Sequence, residues 1–251
     1  MKKLGQLIVA IGIALALHGN ALAGFVEGAT AYNNRNYAVA YKEILPLARA
    51  GSADAQHLLG LMYYMGRGVQ QDYKQALAWH RKAAVQGKAD AQYVVGAMYY
   101  TGNAVIQDHQ QAVSWFRKAA EQGHAQAQQV LGLMYRYHIG GVPQDNVLAY
   151  MLWNLAAASG NANAAEQRAS VIKQMTEEQI EEGQALSAAW KPGKPLPRSS
   201  RTGEGSRHAW AGHSQAISRP FEFRFLRLSV PRAGRHHLCR APLLAPAYLF
   251  V

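Results

Sequence analysis

Two positions one helical turn apart carry residue types that could do covalent chemistry. Ser170 and Lys173 have the spacing with which penicillin-recognising enzymes place a lysine beside a nucleophilic serine. Neither a Ser-Asp-Asn nor a Lys-Thr-Gly element follows them in the sequence. We therefore predict that the chain is not an enzyme, and we keep a cell-wall-directed or penicillin-interacting enzyme that uses this pair as the alternative.

Other residues with metal-binding or acid–base side chains lack the spacing that such sites need. His236, His237 and Cys239 hold ligand atoms, but their spacing matches no closed zinc site. A run of glutamates from Glu177 to Glu182 is better interpreted as the charged face of a terminal helix. No glycine-rich phosphate loop follows a strand pattern. The sequence predicts no metal, no cofactor and no catalytic residue.

The strongest pattern in the sequence is an internal repeat with a period of 36 residues. Residues 51–86 and 87–122 agree at 21 of 36 aligned positions. A third copy, residues 123–159, is one residue longer and keeps much of the frame. A catalytic site is needed only once, whereas a sequence motif repeated at a fixed period indicates that copies of one structural unit stack on each other.

Each copy is predicted to form two helices. Apolar residues recur at helical spacing over residues 53–64, and Gly66 then allows the positive φ that ends a helix. Asp72 stands where an N-cap belongs, with Gln75 at the capping-box position. The second helix is expected to stop at Gly87.

Small and aromatic residues at fixed places in each copy predict how the two helices pack. Gly60 is expected to let the first helix approach its partner opposite Ala76, because a larger side chain there would overpack the contact. Tyr63 and Trp79 are expected to fill the space between neighbouring pairs. The predicted structural positions are Gly60, Tyr63, Asp72, Ala76 and Trp79 in the first copy, Gly96, Tyr99, Asp108, Ala112 and Trp115 in the second, and Gly132, Tyr135 and Asp145 in the third.

The motif A-x-A-Q-x-x-L-G-x-M-Y-x-x-G-x-G-V-x-Q-D, followed by A-x-x-W-x-x-K-A-A-x-x-G, resembles the Sel-one-like repeat (SLR), a relative of the tetratricopeptide repeat. The resemblance covers residues 51–159. The third copy departs from it, because Leu152 stands where the first has Trp79. The family implies an all-α fold, a right-handed α/α solenoid of helix pairs whose concave face binds other proteins. Bacterial members are typically exported adaptors or regulators.

By analogy with tetratricopeptide grooves, the first helix of each pair would line the concave face. Positions i, i+3, i+7 and i+10 of that helix fall on one stripe. A groove with tyrosine, histidine and aspartate suits capture of a protein or peptide. The predicted partner-binding residues are Asp54, His57, Leu61, Tyr64, Asp90, Tyr93, Ala97, Tyr100, Gln126, Gln129, Leu133 and Arg136.

The first residues have the layout of a secretory signal peptide. Lys2 and Lys3 precede an apolar run from Leu7 to Leu17, and small residues lead to a predicted cleavage after Ala23. The run is too short for a bilayer of about 30 Å. The mature protein is therefore expected in the periplasm or secreted, with no transmembrane segment after cleavage.

The formal net charge of +11 belongs mostly to the end of the chain. Residues 24–190 hold 13 basic and 13 acidic residues, whereas residues 191–251 hold 11 basic and 2 acidic ones. The folded region is therefore not expected to bind nucleic acid. Cys239 is the only cysteine, so no internal disulfide can form.

The composition changes sharply after Trp190. Residues 191–207 are rich in proline, glycine and arginine and are predicted to be disordered, while residues 219–230 alternate like a strand. Three interpretations stay open for residues 191–251: a basic extension in weak contact with an anionic surface, a partner-binding tail, or translation past a frameshift.

The predicted organisation is a signal peptide, a stack of helix pairs and a tail. The segments are 1–23 (signal peptide), 24–50 (first helix pair), 51–86, 87–122 and 123–159 (repeats), 160–190 (capping helices) and 191–251 (tail). The predicted function is protein–protein interaction through the concave groove, as an adaptor or regulator in a bacterial cell envelope. A purely structural spacer is a further alternative.

Overall fold

A computed structural model describes residues 22–199 of the chain, and every regular element in that range is helical. The first helix, α1, covers residues 22–33 of the described chain. The others are α2 (Tyr37–Arg49), α3 (Ala53–Met65), α4 (Tyr73–Val85), α5 (Ala89–Thr101), α6 (His109–Ala120), α7 (Ala125–Arg136), a 3₁₀ turn (Ile139–Gly141), α8 (Asn146–Ala158), α9 (Ala162–Ile172) and α10 (Glu177–Ala189). From α2 to α9 each helix packs on the next along the chain, and α10 packs on α8, which confirms the all-α solenoid of helix pairs.

The three repeats are the pairs α3/α4, α5/α6 and α7/α8, and an aspartate begins the second helix of each. Asp72, Asp108 and Asp145 each accept hydrogen bonds from two backbone amides of the first turn. The first helix of a repeat ends on a left-handed glycine in two cases, Gly66 and Gly102, whereas α7 ends at Tyr137. The longer third loop therefore takes a different course, through the 3₁₀ turn.

The capping box predicted at Asp72 and Gln75 is replaced by a bond between the two helices of the pair. In a capping box, the backbone amide of Asp72 would donate to the Gln75 side chain. Here it donates to the carbonyl of Tyr63 at 3.0 Å. The amides of Asp108 and Asp145 donate in the same way to Tyr99 and Tyr135. The same connection thus fixes the loop in all three repeats.

A ring, and not the predicted alanine, occupies the space that each packing glycine leaves. A Cβ atom on Gly60 would lie 2.8 Å from the ring of His80. The equivalent distances are 2.9 Å from Gly96 to Phe116 and 2.6 Å from Gly132 to the ring of Trp153. Ala76, which we predicted to face Gly60, is buried elsewhere in the same interface. The glycine is required because a planar ring crosses the first helix at this point.

A row of glutamines links each repeat to the one before it. The buried side chains of Gln56, Gln92 and Gln128 donate to the carbonyls of Ala48, Ala84 and Ala120, at 3.1, 3.0 and 3.2 Å. Each carbonyl belongs to the last turn of the preceding helix and also accepts from a backbone amide of the turn that follows, so the glutamine adds a second bond to it. The repeated bond sets the same register between neighbouring units.

Trp79 and Trp115, which we expected to face inward, are only partly buried. Lys82 lies 4.0 Å from the centre of the Trp79 ring, and Lys118 lies 4.1 Å from that of Trp115. The basic pairs that end these helices, Arg81-Lys82 and Arg117-Lys118, are therefore engaged with aromatic rings and not simply solvated. In the third repeat Leu152 replaces the tryptophan and is fully buried.

The stack is closed by a helix pair at each end. At the beginning, Asn36 caps α2 through a bond from the amide of Val39 at 3.4 Å. At the other end, Thr176 and Gln179 form the predicted capping box of α10. Helix α8 contacts α7, α9 and α10, which explains why almost all of it is apolar.

Residues 191–199 correct our prediction of a disordered linker, because they pack against the repeats. We call them the strap. The backbone amide of Gly193 donates to the carbonyl of Glu121 at 2.7 Å, and Leu196 is buried. The Ser199 hydroxyl donates to a carboxylate oxygen of Asp145 at 2.6 Å. The compositional change at Trp190 therefore does not mark the end of the folded region.

Several predictions fall outside the described residues. They include most of the signal peptide, the strand-like segment 219–230, His236, His237 and Cys239. The predicted cleavage after Ala23 lies inside α1. Within residues 22–199, no helix combines the length and the apolar character that a membrane crossing requires.

Candidate protein-interaction surface

The twelve predicted groove residues lie on the first helices of the three repeats, α3, α5 and α7. Leu61, Tyr64 and Ala97 are buried, whereas the other nine keep part of their surface accessible. Tyr64 is covered because its ring packs edge-on against Tyr73 and its hydroxyl accepts a bond from Asn103 at 3.3 Å. The accessible part of the stripe is therefore interrupted on α3 and α5.

A row of alternating charge crosses the beginnings of these helices. The ammonium of Lys88 lies 2.8 Å from a carboxylate oxygen of Asp54 and 3.2 Å from one of Asp90. On the other side of Asp90, the Nε2 atom of His124 lies at 3.4 Å. Both aspartates stand in the first turn of a helix, where the helix dipole favours a negative charge. The row connects side chains from all three repeats.

The protonation of this row follows from its hydrogen bonds. The Nδ1 atom of His124 accepts a bond from the amide of Ala127 at 3.2 Å and so caps α7. Nε2 therefore carries the hydrogen and donates to Asp90. This bond holds the pKa of Asp90 well below its usual range, and the charge of Lys88 acts in the same direction. Asp90 is thus ionised at all physiological pH values.

An aromatic cluster lies directly beneath the charged row. The ring of Tyr93 is stacked on His124, with centroids 4.9 Å apart and an angle of 22° between the planes. It also lies 5.6 Å from the ring of Phe116. Burial raises the pKa of Tyr93, so its hydroxyl stays neutral. The cluster gives the charged row a rigid floor, because each ring is held by a neighbour from another helix.

In the third repeat, two side chains of the stripe bond to the closing pair. The Gln129 side chain donates to that of Gln167 at 3.0 Å, and Arg136 donates to Gln174. Two of the four predicted groove positions on α7 are therefore partly used in holding α9. All four positions on α7 keep part of their surface accessible.

His57, a partly accessible residue of the stripe, lies against the buried His80, and the sequence did not single out the two histidines as a pair. The rings of His57 and His80 have centroids 5.0 Å apart. His80 has no exposed surface, and neither of its ring nitrogens finds a hydrogen-bond partner. Burial lowers the pKa of His57 to about 4 and that of His80 well below its ordinary value. The alignment of His80 with Phe116 was the available signal, since it places a histidine in an aromatic core position.

The serine–lysine pair of the enzymatic alternative is not part of the predicted stripe. Ser170 and Lys173 are both exposed at the end of α9, where Lys173 is the C-cap residue. The glutamates of α10 are likewise mostly exposed. Within residues 22–199, no group of three or more His, Cys, Asp or Glu side chains could hold a metal ion. The arrangement on α3, α5 and α7 is suited to binding rather than to bond chemistry.

Comparison with known proteins agrees with this architecture. The model of the Sel1 repeat matches residues 53–88, 89–124 and 125–161. Each match covers one helix pair of the structure and its following turn. Residues 53–161 thus consist of three Sel1 repeats, and such repeats generally mediate protein interactions.

Two solved structures are similar to this chain. One is a protective antigen present in uropathogenic Escherichia coli strains that displays an SLR fold; it is 34% identical, with a TM-score of 0.62, over 68% of this chain and 38% of the antigen. The other is a Sel1 repeat protein from Oxalobacter formigenes, 31% identical with a TM-score of 0.55, over 57% of this chain and 59% of that protein. The chain thus spans less than two thirds of either structure. A search of curated proteins finds no significant match.

Proposed function

We propose that this protein is a non-enzymatic adaptor of the bacterial cell envelope that binds a protein partner along the accessible stripe of α3, α5 and α7. The observation that carries the proposal is the interlocked row of Asp54, Lys88, Asp90 and His124, with the Tyr93 cluster beneath it. The row joins side chains of all three repeats at the beginnings of their first helices. No observation on the described residues favours the enzymatic alternative.

The side chains of the row are preorganised for binding. Side chains that are already held by neighbours lose little conformational freedom when a partner arrives, so more of the contact energy appears as affinity. Lys88 is fixed by two carboxylates and His124 by a cap bond and a ring stack. Half-exposed aspartates on either side of the fixed Lys88 also give the surface an alternating charge pattern, which selects among partners.

The binding part of the proposal is tested by affinity capture from envelope extract with the full chain. The groove variant carries Asp54→Arg, at one end of the row, and Gln126→Arg in the stripe of α7. The control also introduces two arginines, at exposed positions of the second helices, Gln75→Arg and Gln110→Arg. We expect the control to retain the partner and the groove variant to lose it while keeping its helical circular dichroism. Equal capture by both variants would contradict the proposed surface.

Export is the other part of the proposal, and the lysine-flanked apolar run before Ala23 supports it. A tagged full chain expressed in a Gram-negative host should be recovered from the periplasm or the medium with Gly24 as its first residue. Recovery in the cytoplasm with an intact amino terminus, while a control exported protein is processed, would refute export. Binding can be tested on either product, so the two parts fail separately.

A further inference from the structure

The strap shows how the outer edge of this solenoid holds an extended peptide. Both backbone polar groups of Leu196 are bound. The amide donates to the Glu121 carboxylate at 3.1 Å, and the carbonyl accepts from the Arg117 guanidinium at 3.2 Å. The amide of Gly193 donates to the backbone carbonyl of Glu121. Such contacts recognise an extended main chain and place few demands on its side chains.

The residues that receive the strap come from the second helix of one repeat and both helices of the next. Arg117 also donates to the hydroxyl of Tyr135, which fixes the guanidinium in position. Leu196 and Pro197 border one small apolar space with four side chains of the third repeat. We call the receiving set the strap surface; it consists of Arg117, Glu121, Tyr135, Leu148, Met151 and Leu152.

Because the solenoid repeats every 36 residues, the same arrangement occurs one unit earlier. Arg81 donates to the hydroxyl of Tyr99, as Arg117 does to Tyr135. The guanidinium carbon lies 5.3 Å from the Tyr99 ring centre in the first case and 5.9 Å from that of Tyr135 in the second. The set that corresponds to the strap surface, which we call the exposed copy, is Arg81, Val85, Tyr99, Gln111, Ser114 and Trp115.

The exposed copy is accessible where the strap surface is covered. Val85 retains 74% of its surface, an unusual exposure for a valine, and Arg81, Gln111 and Ser114 are exposed as well. Trp115 replaces the buried Leu152 and is partly exposed. The floor of the copy is therefore an indole and an aliphatic side chain, the kind of surface on which proline rings of an extended peptide pack.

The charges of the two surfaces differ, because the strap surface pairs Arg117 with Glu121, whereas the exposed copy holds Arg81 and no acidic residue. Glu121 accepts from a strap whose side chains include three basic residues, whereas Val85 at the same position carries no charge. Arg81, Lys82 and Lys118 surround the exposed copy, and Lys118 lies over the Trp115 ring. A ligand of the exposed copy should therefore be acidic where the strap is basic.

We propose that the exposed copy binds an extended, proline-containing acidic peptide segment of a partner protein in the manner in which the strap surface binds the strap. This surface lies at the outer edge between α4, α5 and α6 and goes beyond the proposed groove function, on which it does not depend. The recognised features are a main-chain carbonyl at Arg81, proline rings at Trp115 and Val85, and carboxylates beside Lys82 and Lys118.

The test uses the full chain and two labelled synthetic peptides in fluorescence anisotropy at low salt. One peptide has the sequence of residues 191–199, and the other has glutamate in place of its three basic residues. We expect the acidic peptide to bind at least about tenfold more tightly than the basic one. Binding should fall at least fivefold in Arg81→Ala and remain within twofold of wild type in Arg117→Ala.

Ser114→Glu provides a second variant at an exposed position, which is not expected to disturb folding. Its added carboxylate should weaken the acidic peptide at least fivefold and the basic peptide not at all. The proposal is overturned if the acidic peptide shows no binding at 1 mM, roughly the effective concentration of a tethered segment. It is also overturned if Arg117→Ala weakens binding as much as Arg81→Ala, because the peptide would then be displacing the strap.

Discussion

His80 offers the most informative perturbation of this fold, because the protein itself contains the replacement. Both ring nitrogens of His80 are buried without a partner, and Phe116 occupies the same position of the next repeat against the same type of glycine contact. The change His80→Phe therefore removes two unsatisfied polar atoms and retains a planar ring. We predict that it stabilises the protein.

The size of the effect follows from two contributions. An unsatisfied buried polar group costs about 1–3 kcal/mol, so the variant should gain roughly that amount at pH 7.5. At lower pH a second contribution appears, because the unfolded state protonates His80 near its ordinary pKa of 6.5 while burial keeps the folded state neutral. At pH 5 this costs the wild type up to about 2 kcal/mol, and the variant does not bear that cost.

The sign of the pH dependence is set by which state binds more protons. Since the folded pKa of His57 is lowered to about 4 and that of His80 is lowered well below 6.5, the unfolded chain takes up protons first as the pH falls. The stability of the wild type should therefore be full above about pH 6.5 and decline from there towards pH 4. The decline should be shallower in His80→Phe, which retains only the contribution of His57.

The assay is urea unfolding followed by far-ultraviolet circular dichroism at pH 7.5 and pH 5, with Phe116→His as the reciprocal control. We expect His80→Phe to unfold at higher urea at both pH values, with the larger gain at pH 5. Phe116→His should be destabilised and become more sensitive to acid. A loss of stability in His80→Phe at both pH values would show that the histidine ring is satisfied or that its slot is too small for phenylalanine.

Three further predictions concern caps, packing and the strap. Asp108→Ala should lower the free energy of unfolding in urea by about 1 kcal/mol. Asp145→Ala should lower it more, because the Asp145 carboxylate is buried and also accepts from the strap. Equal losses in the two variants would contradict this. Gly96→Ala should cost about 1–3 kcal/mol, and less in a Phe116→Leu background; additive losses in this double-mutant cycle would mean that the ring is not the obstacle. Leu196→Ala should make trypsin cleave the strap faster without lowering the urea midpoint of the repeats by more than a small amount, whereas an unchanged cleavage rate would show that Leu196 does not anchor it.

The helices and their order could be predicted because each repeats the same local signals. The 36-residue period, the aspartate caps and the glycine turns each depend on a few neighbouring residues, so the sequence alone indicates them. The side-chain contacts between the two helices of a pair were harder to predict. Gly60 was correctly seen as a place of close approach, but its contact with His80 depends on the rotation of α4, which Ala76 and Trp79 did not define.

The strap could not be predicted from its own composition. Lysine, proline and glycine in residues 191–195 are typical of a linker, and a single leucine gives no periodicity. Its binding surface was visible only as a departure from the repeat, since Leu152 stands where the other copies have tryptophan. In the structure that departure has a cause, because the apolar side of α8 is covered. A repeat that loses its polar face is thus a sign that another segment lies upon it.

The stripe on α3, α5 and α7 is the centre of this account, and site-specific photo-crosslinking tests it most directly. A photo-reactive residue would replace Gln126 in the stripe or, as the matched position, Gln75 on α4. Each variant would be the full chain, expressed in a Gram-negative host. We predict that irradiation joins a partner protein to the chain at position 126 and not at position 75. Crosslinking at position 75 alone, or equally at both positions, would contradict the stripe as the binding surface.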